Sequence, residues 1–397
     1  MLRARVQGQH ARVTTVELFF DLVFVFAVTQ LSHSLLAHLT PLGAAETVLL
    51  MLAVWWAWVF TAWITNWLDP DHANVRAMLF VLMAVGLVMS TSLPHAFNAR
   101  AVPFALAYVA FQVGRTAFMI WASGRDPSLR RVFVGILAWF SASGVLWLAG
   151  AFADESLRLA IWGAALGIEF VGPAAGFWIP GLGRSDTHEW TVEGGHMAER
   201  CGLFIIICLG ESVLVTGATF SQHAMDPTTV GAFLAALVGA IAMWWIYFNA
   251  HADLAAHAIA GSDDPGRIAR VAYTYAHIPI VAGIIVTAAG DELALAHPLG
   301  HAEAAAAWLI LGGPALFLAG GVWFKAAIFQ HLSAPRAGGL VLLAAVALAW
   351  PHLTPLALSS AVTAVLVVVA MWETVDYPRA LARLQARSGR PGAPPAA

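Results

Sequence analysis

Twelve apolar runs, each near the length that crosses a bilayer, dominate this chain, and any fold must first find a place for them. Bounded by proline, glycine and charge, they cover 16–37, 44–67, 76–97, 101–123, 130–152, 157–178, 198–220, 228–251, 267–289, 304–326, 337–353 and 356–375. A helix rising 1.5 Å per residue needs about 20 residues to cross ~30 Å of hydrocarbon. Of all residues, 60% are hydrophobic and 11% charged, against roughly 45–50% and 25% in soluble domains. No soluble core can enclose that much apolar surface. The pattern predicts an all-α fold, a polytopic transmembrane helix bundle of about twelve spans whose first partner is the lipid bilayer.

Charge position says more than charge sum. The formal net charge of −3 argues against nucleic acid as a partner. Lys325 is the sole lysine. With twelve spans, the loops on one side collect fifteen arginines, from Arg3 to Arg390, and those on the other hold only Arg100 and Arg158. The positive-inside rule then places both termini in the cytoplasm. The first apolar run carries Glu17 and Asp21 and follows no small-residue cleavage site, so it reads as a retained span. Cys201 and Cys208 lie seven residues apart in one run, about 10 Å on a helix, too far to bridge each other.

The two halves look related. Each opens with an acidic residue entering an apolar helix, Glu17 in VELFFDLVFVFAV and Glu199 in AERCGLFIIICLGES. Each continues with a tryptophan-rich second span, Trp55, Trp56 and Trp58 against Trp244 and Trp245. Lone cations follow in the fourth spans, Arg115 and Lys325, and the sixth spans end in GIEFVGP with Glu169 and MWETVDYP with Glu373. A parallel duplication of a six-helix unit accounts for this order. The expected organisation is a first repeat over 1–183, a cytoplasmic linker over 184–197, a second repeat over 198–386 and a disordered tail over 387–397.

Ionisable groups within a span cost at least about 2.5–3.5 kcal/mol each at the bilayer centre, so those retained face the bundle interior and find partners. Glu17, Asp21, Arg115, Glu169, Glu199, Arg200, Lys325 and Glu373 form a layer in the cytoplasmic half. Thr14-x-x-Glu17 is a capping box, one reading of Glu17's whole role, the other being a place in the buried polar network. Asp21 lies one turn further in, on the same face. Glu169 and Glu373 sit toward the negative ends of their helices and need a cation. Arg115 and Lys325 are the expected partners, which gives two buried ion pairs. Such pairs serve packing specificity as readily as chemistry.

Glu211 stands apart, some 18 Å deeper than Glu199 along one helix. A carboxylate at that depth without a cation either takes up a proton or lines a polar cavity, and this makes Glu211 the leading functional candidate. Its plainer alternative is a satisfied structural hydrogen bond. His277, beside Tyr273, Tyr275 and Pro279, is a proton-relay candidate or a hydrogen-bonded core histidine. His188, Glu189, Glu193 and His196 match no metal-ligand spacing, so no metal is expected. The chain has no Walker loop, no Rossmann glycine fingerprint and no G-x-S-x-G elbow, and no cofactor is expected.

The segments VTTVELFFDLVFVFAVTQLSH and HMAERCGLFIIICLGES resemble the low temperature requirement protein A family of bacterial membrane proteins. The matched positions are Glu17, Phe20 and Asp21 in the first, and His196, Glu199, Arg200, Gly210 and Glu211 in the second. The resemblance covers essentially the whole chain and implies a bacterial cytoplasmic (inner) membrane location. The family name records a growth phenotype at low temperature and implies no reaction. The doubled six-helix plan also resembles, more faintly, the two-times-six-helix potassium channels of bacteria and endolysosomes, although Leu203 stands where Asp21 would align.

These features favour an ion channel or proton-coupled transport of a small solute, with an ion, a proton or a small molecule as substrate. Glu211, Asp21, Glu17, Glu199, Arg200 and His277 are the residues expected on its polar path. The alternatives are a structural or sensory envelope protein linked to cold growth and an intramembrane enzyme acting on lipid. An enzyme is the least favoured of the three.

Overall fold

The computed structural model describes residues 1–3, 12–124, 126–185, 192–249 and 264–388. The sequence readings that fall on His188, Glu189 and residues 389–397 lie outside them. Among the described residues twelve α-helices run in chain order: α1 (Thr15–Ala37), α2 (Pro41–Trp67), α3 (Ala73–Ser92), α4 (Ala101–Ala122), α5 (Pro127–Ala151), α6 (Glu155–Val171), α7 (Gly194–Ser221), α8 (Pro227–Phe248), α9 (Gly266–Ala296), α10 (Ala304–Phe329), α11 (Ala334–Ala349) and α12 (Pro355–Ser388). Each overlaps one of the twelve apolar runs. Eleven are long and apolar enough to span a membrane. The exception, α6, has 17 residues and does not reach 178, because Gly172 and Pro173 end it in a series of turns through Phe177.

Local chemistry sets several of the starts. Asp126, Asp226 and Asp264 each precede a proline at the first helical position and accept backbone N–H bonds from the first turn. This combination satisfies orphan donors with a fixed φ already suited to a helix. Around exposed Asp226, bonds from Thr228 and Thr229 hold the carboxyl well below the usual range. Other boundaries also differ from the sequence reading, and helix α12 runs on from 375 to Ser388. Helix α7 begins four residues early, at Gly194, since Glu193 caps the Gly195 and His196 amides. Helix α9 runs past 289 and takes in Asp291 and Glu292, for its backbone bonds continue although the charge begins.

Helix α2 is the most enclosed, with 89% of its most apolar window buried. Trp55, Trp56 and Trp58 on it are fully buried and fill the core, whereas Trp308, Trp121 and Trp178 face outward. Helices α1 and α2 meet α7 and α9, and this contact joins the two halves.

The closest packing is between antiparallel α9 and α10, where small residues let the backbones approach. A Cβ added at Gly290 would lie 2.9 Å from the Ile310 amide nitrogen, and one at Gly320 would lie 2.8 Å from that of Ile280. At Gly283 it would run into the Phe317 amide nitrogen, while at Gly312 it would meet nothing within 4 Å. Gly283→Leu should therefore lower stability by about 1–3 kcal/mol, and Gly312→Leu should change it by no more than about 0.5 kcal/mol. Unfolding of both variants in detergent micelles checks the difference.

Candidate functional site

Two helical pairs at matching spacing build the main polar centre. Glu17 and Asp21 lie at i and i+4 on α1, and His196 and Arg200 lie at i and i+4 on α7. Side chains so spaced share a face, and here the two faces meet. Arg200 donates from both terminal nitrogens to the Asp21 carboxylate, at 2.8 and 2.9 Å. The Trp58 indole N–H adds a third bond to Asp21, at 2.9 Å, and the Arg200 guanidinium lies 5.5 Å from the Trp58 ring centre. Arg200 also donates to the Glu17 backbone carbonyl at 3.1 Å.

One turn nearer the membrane surface, Glu17 accepts from the Thr14 amide at 2.9 Å and from its hydroxyl at 3.0 Å, as a capping carboxylate would. It does more than cap. Nε2 of His196 reaches it at 2.9 Å and Arg3 at 3.3 Å. The Asn66 amide donates to His196 Nδ1 at 3.3 Å, which assigns the ring proton to Nε2 and directs it at Glu17. Asn66 also pairs with the Glu193 backbone in both directions, at 2.8 and 3.0 Å, and so fixes the entry of α7. Glu17, Asp21, His196 and Arg200 have no exposed surface. Two carboxylates and two guanidinium groups thus neutralise one another where the halves meet, with His196 between them.

Arg3 itself is held by the end of α2. Its Nε donates to the Thr65 and Leu68 carbonyls at 3.0 and 2.9 Å, and its amide donates to the Trp67 carbonyl at 2.8 Å. Nothing in the sequence pattern marked this residue as part of the site.

The expected Arg115–Glu169 pair does not form. Glu169 is saturated by neutral donors, Tyr108 at 2.6 Å, Ser143 at 2.8 Å, Trp147 at 2.9 Å and Gln112 at 3.4 Å. Arg115 turns instead to the Ala57 carbonyl at 2.7 Å, to Thr61 at 3.2 Å and to the Gln112 side-chain oxygen. Gln112 stands between cation and carboxylate because its amide can accept from one and donate to the other. In the second half Lys325 and Glu373 do meet, at 2.5 Å. Arg336 joins them at 2.8 Å, although its position just before an apolar run predicts a loop. Arg336 also bonds the Ile246 carbonyl at 2.7 Å. When the Trp55-Trp56 and Trp244-Trp245 pairs are aligned, Ala57 and Ile246 correspond, so an arginine covers the matching carbonyl in each half.

The remaining candidates fall in different settings. Glu199 is exposed and accepts the Val13 amide at 3.0 Å. His277 is fully buried, with Nδ1 2.8 Å from the Ala272 carbonyl and Nε2 2.8 Å from the Tyr247 hydroxyl. It follows a π-helical turn, Arg270–Tyr275, whose Thr274 carbonyl takes the Trp55 indole N–H at 2.8 Å. Glu211 is 5% exposed and makes no hydrogen bond or ion pair among the described residues. Asp291, missed because the span was ended at 289, is also buried without a partner there. No group of three potential metal ligands occurs among the described residues.

A bundle of apolar helices that buries paired charges where its halves join defines a multi-pass α-helical membrane protein. The chain belongs to the bacterial low temperature requirement A protein (LtrA) family, whose family model matches residues 12–371. Both polar motifs of α1 and α7 lie within that match. The chain is 39% identical over 360 residues to the uncharacterized protein RA0937 of Rhizobium meliloti (strain 1021), covering 90% of this chain and 88% of that one. No solved structure matches it.

The Asp21–Arg200 bonds make a specific demand on stability. Asp21→Asn and Arg200→Met should each cost about 3–5 kcal/mol, because each leaves a buried partner uncompensated. The double variant should cost far less than their sum, since the two act on one interaction. A double-mutant cycle read by unfolding in micelles measures this; additive losses would mean that the pair does not couple.

Proposed function

We propose that this protein is a proton-linked transport protein of the bacterial cytoplasmic membrane, with both termini in the cytoplasm. In this reading Glu211 binds and releases the transported or coupled proton. The observation that carries it is the contrast between Glu211 and the carboxylates nearer the arginine-rich face. Glu17, Asp21, Glu169 and Glu373 each accept several hydrogen bonds, while Glu211, deeper on α7, accepts none among the described residues. A carboxylate that already accepts several bonds must give one up to take another partner, whereas an unpartnered one has its lone pairs open.

Two further features support the reading. The same neighbours recur in each half: α1 packs on α2 and α3 as α7 packs on α8 and α9. The third, fourth, fifth and sixth helices follow in succession in each half, and the second contacts the sixth. A doubled unit of this kind is a common transporter plan, with the path at the repeat interface. The arginine distribution over the loops favours cytoplasmic termini. A structural role is the second reading, favoured by the paired bonds between Arg200 and the Asp21 carboxylate. The two are compatible if that network holds the halves while Glu211 works.

Proteoliposomes loaded with a pH-sensitive dye, with a membrane potential set by potassium and valinomycin, test the proposal. The protein should raise proton uptake above that of empty vesicles, and Glu211→Gln should lower the rate by roughly a hundredfold while leaving the unfolding midpoint in place. Equal rates in the two proteins would remove Glu211 from the path.

A further inference from the structure

A polar cleft opens on the face opposite the arginine-rich loops, where the α1–α2, α3–α4 and α5–α6 connections of the first half come together. Buried Leu50, Leu93 and Phe97 line its inner part, and His38, Glu46, Asn98 and Glu155 stand around them. Glu46 is half-buried, while His38, Asn98 and Glu155 are exposed, so the cleft is open to solvent. Its volume is about 150 Å³. A cavity of about that size admits a molecule as large as benzene, roughly six non-hydrogen atoms.

The polar groups of the cleft are open acceptors. Neither Glu46 nor Glu155 makes a hydrogen bond or ion pair among the described residues. His38 Nδ1 lies 3.3 Å from the Ser34 carbonyl, which can only accept, so in the neutral ring Nδ1 carries the proton and Nε2 is left as an acceptor. The two arginines of this face are engaged with backbone oxygens. Arg100 donates to the Thr91 carbonyl at 2.9 Å, and Arg158 donates to the Gly150 and Ala153 carbonyls at 3.1 and 2.8 Å. Two carboxylates thus share one cleft with no counter-ion, which repels an anion and draws in a cation. His38, Glu46 and Glu155 do not gather closely enough to hold one metal ion. A larger cation with several N–H donors can reach them separately, and a methylene body suits the apolar inner part.

We propose that this cleft binds a small organic ammonium ion, its N–H groups on Glu46 and Glu155 and its methylene body against Leu50, Leu93 and Phe97. The inference does not rest on the transport reading.

Isothermal titration calorimetry of the purified full chain in a mild detergent tests it, with tetramethylenediamine, the uncharged tetramethylene glycol or calcium chloride as titrant. The diamine should bind saturably, and neither the glycol nor calcium should bind or compete at the same concentration. Glu46→Gln and Glu155→Gln should each weaken the diamine about tenfold. Glu303→Gln, at an exposed carboxylate elsewhere on the same face, should leave it unchanged. Leu42→Trp, which fills the cleft from the first turn of α2, should remove binding. Equal weakening in Glu303→Gln and Glu155→Gln would overturn the site as a general charge effect. Equal binding of the glycol would remove the role of charge, and displacement of the diamine by calcium would make this a metal-ion site instead. If Leu42→Trp does not fold, the comparison of Glu155→Gln with Glu303→Gln still decides.

Discussion

Burying Asp21 and Arg200 together is the constraint around which the other polar contacts arrange themselves. Each charge alone would be costly in a membrane interior, and each is kept by the other at 2.8 Å across two helices from different halves of the chain. That requirement fixes the register of α1 against α7. With the register set, Glu17 meets His196 and Trp58 reaches Asp21. Asn66 can then hold the start of α7 while it orients the histidine. The tryptophans of α2 follow from the same arrangement, since Trp58 and Trp55 bring their indole N–H groups to Asp21 and to the opened Thr274 carbonyl.

The other charge clusters solve the same problem by different chemistry. Glu169 is satisfied entirely by neutral donors, with Gln112 relaying to Arg115, whereas Glu373 takes two cations directly. In both halves an arginine covers the corresponding carbonyl of the second helix, Ala57 or Ile246. The recurring need is to satisfy a backbone oxygen and a carboxylate near the sixth helix, and the residue that meets it is free to change position. Close glycine contacts between α9 and α10 supply the apolar counterpart in the second half.

Much of this was legible in the sequence. The apolar runs gave the helices because length and hydropathy alone decide whether a segment spans. The i and i+4 spacing of Glu17 and Asp21 pointed to one face, but the matching spacing of His196 and Arg200 was passed over. The apolar pattern alone puts His196 in a loop, and the cap from Glu193 brings it into the helix. Arg115 was assigned to Glu169 by charge alone, and a neutral glutamine one turn away took the contact. Arg3 and Asn66 were invisible because their roles depend on how the end of α2 approaches α7, which no local pattern records. Arg336 and Asp291 lie just beyond the ends of apolar runs, and a helix continues through a charge that packing can bury.

The account holds that the forked geometry of Arg200 on Asp21, beyond its positive charge, joins the two halves. Arg200→Lys tests this most directly, because an ammonium keeps the charge but cannot make the two parallel bonds. The unfolding midpoint in micelles should fall nearly as far for Arg200→Lys as when the cation is removed. A lysine variant as stable as the parent protein would contradict it and leave charge neutralisation as the whole of the interaction.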